Sequence, residues 1–136
     1  MADVVILNKT ASIERCLVRI REDYAGHETD FASDFMRQDA VILNIQRACE
    51  QTIDLANHIV KIHKLGIPQS SRDAFDLLAG AGIIEITLAQ RLGSMVGFRN
   101  IAVHDYQKIN LVIVTAIIHK HLVDFREFIQ VALRFA

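Results

Sequence analysis

Apolar positions along the chain recur at alternating steps of three and four, the spacing of one face of an α-helix. Ile6, Thr10, Ile13, Leu17, Ile20 and Tyr24 form the first such stripe. They predict a helix from about Asp3 to Tyr24, with Arg15, Arg19, Arg21 and Glu22 on its other faces. Gly26 interrupts the pattern, so Ala25 to Asp30 reads as a loop. A second and longer helix is predicted from about Ser33 to Lys64. Val41, Ile45, Ala48, Thr52, Leu55, Ile59 and Ile62 make one stripe on it, and Ile42, Cys49, Ile53, Ala56 and Val60 make an adjacent one. Two neighbouring stripes are wider than a one-sided surface helix needs. Such a helix is either buried on several sides within its own chain or shared with a second copy, and the pattern leaves both open.

Leu65-Gly66-Ile67-Pro68 stops that helix, with Gly66 predicted as the left-handed residue after its end and Pro68 just beyond. Ser70 followed by Asp73 is a capping-box pattern. It opens a short third helix carrying Phe75, Leu77 and Leu78, which stops at Gly80-Ala81-Gly82. A fourth helix, from about Glu85 to Arg99, buries Leu88, Leu92 and Met95. Asn110 caps the last helix, on which Leu111, Val114, Ile118, Leu122, Phe125, Ile129 and Leu133 again step by three and four. No repeat, low-complexity segment or linker interrupts the series. The expectation is an all-α, mostly antiparallel bundle of about five helices forming a single domain over 1–136.

Composition agrees with that expectation. Of 136 residues 51% are hydrophobic and 23% charged, which excludes a disordered chain, and six Gly with one Pro favour long helices. A formal net charge of −1 argues against a stand-alone duplex binder and leaves room only for a local basic patch. Cys16 and Cys49 lie inside apolar stretches without a C-x-x-C pair, as free thiols of a reducing compartment do. The start of the chain lacks a basic segment, its apolar run covers only Val4 to Leu7, and no stretch reaches bilayer-spanning length. These features lead us to expect a soluble, cytoplasmic protein without a membrane partner.

The segment Arg99-Asn100-Ile101-Ala102-Val103-His104-Asp105-Tyr106 concentrates the chemistry. An arginine grips a phosphate with a planar fork of donors and keeps its charge. An imidazole moves protons near neutral pH. The two together suffice to cleave RNA without a metal. In the bland alternative, Arg99 ends a helix and His104 caps a turn. On one continuous helix Arg99 and His104 would point roughly 140° apart, from the 100° step per residue. The segment, expected between the fourth and fifth helices, therefore either unwinds near Arg99, which Gly97 would ease, or is completed by a second copy of the chain.

Arg99-Asn100-x-x-x-His104-x-Tyr106 resembles the R-x-x-x-x-H-x-Y signature of the HepT toxins, a branch of the HEPN ribonuclease superfamily. Gly66-Ile67-Pro68-Gln69-Ser70-Ser71-Arg72-Asp73-Ala74-Phe75 resembles the family's G-x-P-x-S-x-R-x-x-F linker, and Gln38 to Gln46 resembles the start of its long second helix. The resemblance implies a homodimeric toxin of a toxin–antitoxin system that cleaves RNA, paired with an MntA-type minimal nucleotidyltransferase antitoxin. It further implies that the antitoxin neutralises the toxin by adding AMP to the signature tyrosine, here Tyr106. His104 would then be the general base. Arg99 would clamp the phosphate, and Asn100 would orient His104 or donate to the phosphate. Glu50 and Asp54 of the second helix are the candidate acidic helpers. No cofactor is expected.

Other signals are weaker. His119 and His121 are two apart and His58 and His63 five apart, neither being the i, i+4 spacing of a helical metal pair, so no metal is expected. Ser70 and Ser71 read as caps. No Gly-rich phosphate loop follows a strand. The alternative from another functional class is a non-catalytic helical subunit that binds a nucleotide or a nucleotidyltransferase partner.

Overall fold

The computed structural model describes residues 2–136. Met1, at the head of the short N-terminal apolar stretch, lies outside the described residues. The chain forms α1 (Val4–Tyr24), a 3₁₀ turn (Phe31–Ser33), α2 (Phe35–Ile62), α3 (Ser71–Gly80), α4 (Ile86–His104) and a second 3₁₀ turn (Tyr106–Lys108). A last rod follows, made of α5 (Leu111–Ala116), a π-helical turn (Ile117–His121) and α6 (Leu122–Leu133). With that rod counted once, the described residues make an all-α bundle of five helices. None of these helices is long and apolar enough to cross a membrane.

α1 and α2 form an antiparallel hairpin. The cross-links run in opposite order along the two helices: Asp3 with His58 at 2.8 Å, Lys9 with Asp54 at 3.2 Å, and Asp23 with Arg37 at 3.7 Å. Every member of the predicted α1 stripe is buried, from Ile6 to Tyr24. Asp3 caps the helix by accepting from the Ile6 N–H. α2 packs against α1, α3, α4 and α6, so both its stripes are used within the chain. Burial on several sides within the chain accounts for both stripes. Ile62, placed on the stripe by spacing, is exposed because it falls in the last turn beyond the packed face.

Three further expectations change. Lys64, with φ of 53°, takes the left-handed position after α2, and the Leu65 N–H closes the cap on the Val60 carbonyl. Gly66 lies beyond it at φ 135° against Leu77. Second, α4 does not end near Arg99 but continues to His104, with Phe98 and Ala102 buried along it. Gly97 sits inside this helix because Arg72 of α3 crosses it: a Cβ there would come within 2.9 Å of Arg72 Nη2. Close approach, rather than unwinding, accounts for the glycine. Third, the last rod is not uniform. The π turn adds one residue, so Ile117 and Leu122, five apart, both point inward while Ile118 is only half-buried. The core register then resumes with Phe125, Phe128, Ile129 and Ala132, leaving the predicted Leu133 exposed.

α3 opens as its sequence predicts. Ser70 Oγ accepts from the Asp73 N–H at 3.1 Å, and the Asp73 carboxylate accepts in return from the Gln69 N–H at 2.9 Å. This cap fixes the start of α3 against α4 and sets Ser71 and Arg72 beside the polar segment of α4.

Candidate active site

Arg99 projects from α4 into a cleft of about 340 Å³ lined by Glu50, Ile53, Asp54 and Asn57 of α2 and by Ser71 of α3. Its Nη2 donates to Ser71 Oγ at a long 3.4 Å, and its buried Nε has no acceptor. An unmet buried guanidinium donor is costly, and an incoming anionic oxygen would relieve it. The two carboxylates of the cleft are engaged elsewhere. Glu50 accepts from Gln46 Nε2 at 3.2 Å, and Asp54 pairs with Lys9 at 3.2 Å. Neither forms an ion pair with Arg99, so the guanidinium keeps its fork free for a phosphate.

His104 ends α4 and is exposed, without a side-chain hydrogen bond among the described residues. The Asp105 N–H bonds to the Ile101 carbonyl, closing the helix immediately after it. Because the helix runs unbroken, Arg99 and His104 diverge by roughly 140° and stand roughly 7.5 Å apart along the axis. Asn100 is exposed one turn before His104, and no hydrogen bond joins the two side chains. Its side chain thus stands free toward solvent instead of holding the imidazole.

Tyr106 lies in the 3₁₀ turn after α4, 43% exposed and therefore reachable from solvent. Its hydroxyl donates to Asp39 Oδ1 on α2. Partial burial of the phenol, then the hydrogen bond and charge of Asp39, push its pKa up to about 12. Asp39 lies inside the α2 segment that carries the family resemblance, yet sequence reasoning did not single it out. Its only signal was its place in the Arg37-Gln38-Asp39 polar run at the start of α2.

The four histidines weighed as metal candidates have partners within the fold. His119 meets the Tyr24 hydroxyl at 3.0 Å, His121 meets Asp124 at 3.0 Å, and His58 meets Asp3. The ring of His63 stands edge-on to Phe135 at 4.7 Å. Among the described residues no group of three or more His, Cys, Asp or Glu side chains is arranged to hold a metal. Cys16 and Cys49 are free and buried, and burial raises both thiol pKa values.

Several apolar side chains near the motif are exposed. Ile101 and Val103 of α4 and Val112 and Ile113 of α5 are all exposed. Of these, Ile113 also lines a pocket of about 250 Å³ between α4 and the last rod, together with Met95, Phe98, Ile117, Arg91 and His121.

Comparison with known proteins gives the family of this chain. The family described as "Ribonuclease HepT-like" matches residues 13–132. The mRNA nuclease HepT of Shewanella oneidensis is 54% identical over 127 residues, which cover 93% of this chain and 95% of that protein. Among solved structures, the tri-AMPylated Shewanella oneidensis HEPN toxin in complex with its MNT antitoxin superposes with a TM-score of 0.90 at 53% identity, covering 96% of this chain and 97% of that one. A toxin–antitoxin structure with AMP-PNP gives a TM-score of 0.91 at 53% identity, covering 95% and 97%.

Proposed function

The chain belongs to the HepT-like ribonuclease family, and from that membership we propose that it is an mRNA-cleaving toxin working as a homodimer and held in check by an MNT-type nucleotidyltransferase antitoxin. The whole of 1–136 is read as one HEPN domain. Its place of action is the cytoplasm, where its substrate and antitoxin are made.

The observation that carries the proposal is the divergence of Arg99 and His104 on an unbroken helix, next to exposed apolar residues. One chain does not aim both groups at one phosphate. An isologous two-fold contact through Ile101, Val103, Val112 and Ile113 would bring the α4 ends of two copies together, so that Arg99 of one meets His104 of the other. His104 then takes the proton from the ribose 2′-hydroxyl, whose oxygen attacks the adjacent phosphorus; the P–O5′ bond breaks, and the leaving 5′-oxygen departs with that electron pair and takes up a proton from solvent. Arg99 holds the non-bridging oxygens as negative charge builds on them, which is where preorganised donors act most strongly. Asn100 adds a donor on the same face as His104. Glu50 and Asp54 act as helpers by shaping the cleft and, engaged by Gln46 and Lys9 respectively, leave the guanidinium without an ion-pair partner. No step calls for a metal or cofactor.

AMP on Tyr106 would place a bulky anion two residues from His104. It would repel and obstruct an RNA phosphate in a cleft of low dielectric.

The test is complementation. Arg99→Ala and His104→Ala chains should each be at least roughly 10²-fold less active than wild type in the presence of chelator. Mixed at equal amounts and allowed to exchange subunits, they should regain about a quarter of wild-type cleavage, since half the two-fold dimers then hold one intact site. Mixtures as inactive as their components show that the site is built within one chain, and cleavage by His104→Ala at the wild-type rate removes the general base.

A further inference from the structure

Asp39 has no role in RNA cleavage as described above, yet it is the only hydrogen-bond partner of the Tyr106 hydroxyl among the described residues. Among the described residues no Lys, Arg or His forms an ion pair with it, and it is exposed. The two residues are 67 apart in sequence and meet because α2 passes beneath the turn that follows α4. One helical turn to either side of Asp39, Phe35 and Leu43 are also exposed, giving the carboxylate an apolar collar on the same face of α2.

Resting on the reading that Tyr106 is the residue modified by the antitoxin, we propose that Asp39 is the general base of that modification. The toxin, on this proposal, supplies a catalytic group for its own neutralisation. Tyr106 Oη attacks the α-phosphorus of an ATP carried by the nucleotidyltransferase, and a phenol–phosphate ester bond forms. The bond from the α-phosphorus to the bridging oxygen of pyrophosphate breaks, and pyrophosphate leaves with that electron pair. The phenolic proton passes to Asp39 Oδ1 along the existing hydrogen bond, and from there to solvent.

The chemistry needs such an acceptor. A phenol with a pKa of about 12 is almost wholly protonated at neutral pH, so the nucleophile is not present beforehand as phenolate. The proton has to leave as the ester bond forms. A carboxylate that accepts a substrate hydroxyl proton during phosphoryl transfer is an established arrangement in kinases. Here the carboxylate already sits on the proton concerned. It also keeps the hydroxyl hydrogen-bonded in the free toxin, so the ring is oriented before the antitoxin arrives.

The experiment measures the single-turnover rate of AMP incorporation into the full chain by its cognate nucleotidyltransferase with Mg²⁺ and ATP at saturation. Asn at position 39 retains an oxygen that accepts the phenol hydrogen bond but does not take up the proton, so it separates orientation from proton transfer. Asp39→Asn and Asp39→Ala should both be slower by roughly 10²-fold, the usual worth of a general base. Asp39→Glu should recover part of the rate, and added formate should accelerate Asp39→Ala but not Asp39→Asn. Thermal melting and the affinity for the antitoxin, read alongside, should match wild type. If Asp39→Asn is within about threefold of wild type while Asp39→Ala is slow, the carboxylate only orients the ring and the base role is overturned. An Asp39→Glu variant as slow as Asp39→Asn, with no formate effect on Asp39→Ala, also overturns it. AMP found on Tyr106→Phe overturns the assignment of the modified residue and the proposal with it, a result distinct from those of the Asp39 series.

Discussion

Replacing Gly97 by Ala tests whether the unbroken α4 is the working form of the motif. The added methyl lies 2.9 Å from Arg72 Nη2, the far end of an exposed and flexible side chain, so Arg72 swings aside at small cost. Against that, alanine is favoured over glycine in a helix interior by about 0.8–1 kcal/mol. Gly93, one turn earlier, is the control: a methyl there meets Arg72 only at 3.8 Å, an ordinary contact. Gly93→Ala should therefore gain nearly the full amount and Gly97→Ala a few tenths of a kcal/mol less. For a domain of this size 1 kcal/mol corresponds to a Tm shift of about 3–5 °C, well resolved by circular dichroism. Cleavage separates the two views of the segment. If the helix stays wound during catalysis, Gly97→Ala cleaves within about twofold of wild type. If the site forms only when the helix opens at Gly97, closing that hinge by about 1 kcal/mol lowers the rate about fivefold. The same comparison in an Arg72→Ala background, where the methyl meets no guanidinium, assigns any loss to the helix itself. A Tm gain for Gly97→Ala equal to that of Gly93→Ala, or a fivefold loss of cleavage persisting without Arg72, refutes the close-approach account of this glycine.

Two further outcomes follow from the site. Arg99→Lys keeps the charge but loses the fork, and the loss of one charge-assisted hydrogen bond, about 1.5–3 kcal/mol, should lower kcat/KM by at least tenfold; turnover near wild type would mean that a point charge is enough. In a Tyr24→Phe chain, where Tyr106 is the sole tyrosine, absorbance titration should place the phenol near pH 12. Asp39→Asn should bring it down toward 10, though not all the way, because the burial contribution remains. Since the folded-state pKa is raised, whatever stability this contact lends is present below pH 10 and disappears as pH rises through 12. An unchanged titration in Asp39→Asn would remove the carboxylate as a cause.

Where one face of a helix meets the core and the other meets water, the sequence is readable. α1 is the plain case: six predicted inward positions, all buried. α3 is readable from its cap, since Ser70 and Asp73 act locally on neighbouring backbone groups. The end of α4 is not readable in this way. From Arg99 to His104 only Ala102 is buried, while Ile101 and Val103 face outward, so the stretch has the mixed pattern of a loop although it is helical. The π turn is hidden for another reason. Steps of three and four cannot signal a five-residue gap, and the choice between Ile117 and Ile118 is made by packing. Within the site, the signature and the family resemblance put Arg99, His104 and Tyr106 in view, and the structure brings Glu50 and Asp54 to the cleft that Arg99 enters. Asp39 stayed out of sight because its partner is remote in sequence, and a contact across the fold leaves no local pattern.

The π turn makes the last rod behave as two helices sharing one axis but set at different phases. Inserting one residue into a helix rotates everything beyond it by about 100°. Ile117–His121 therefore sets how the outward face of α5 is turned relative to the inward face of α6. Phe125 and Phe128 face the interior, while Val112 and Ile113 face outward. The information held in this segment is its length. Substitutions at exposed His119 or Lys120 would leave the phase alone, while removing any single residue would turn α5 by more than a quarter of a revolution and re-aim the apolar patch beside the motif.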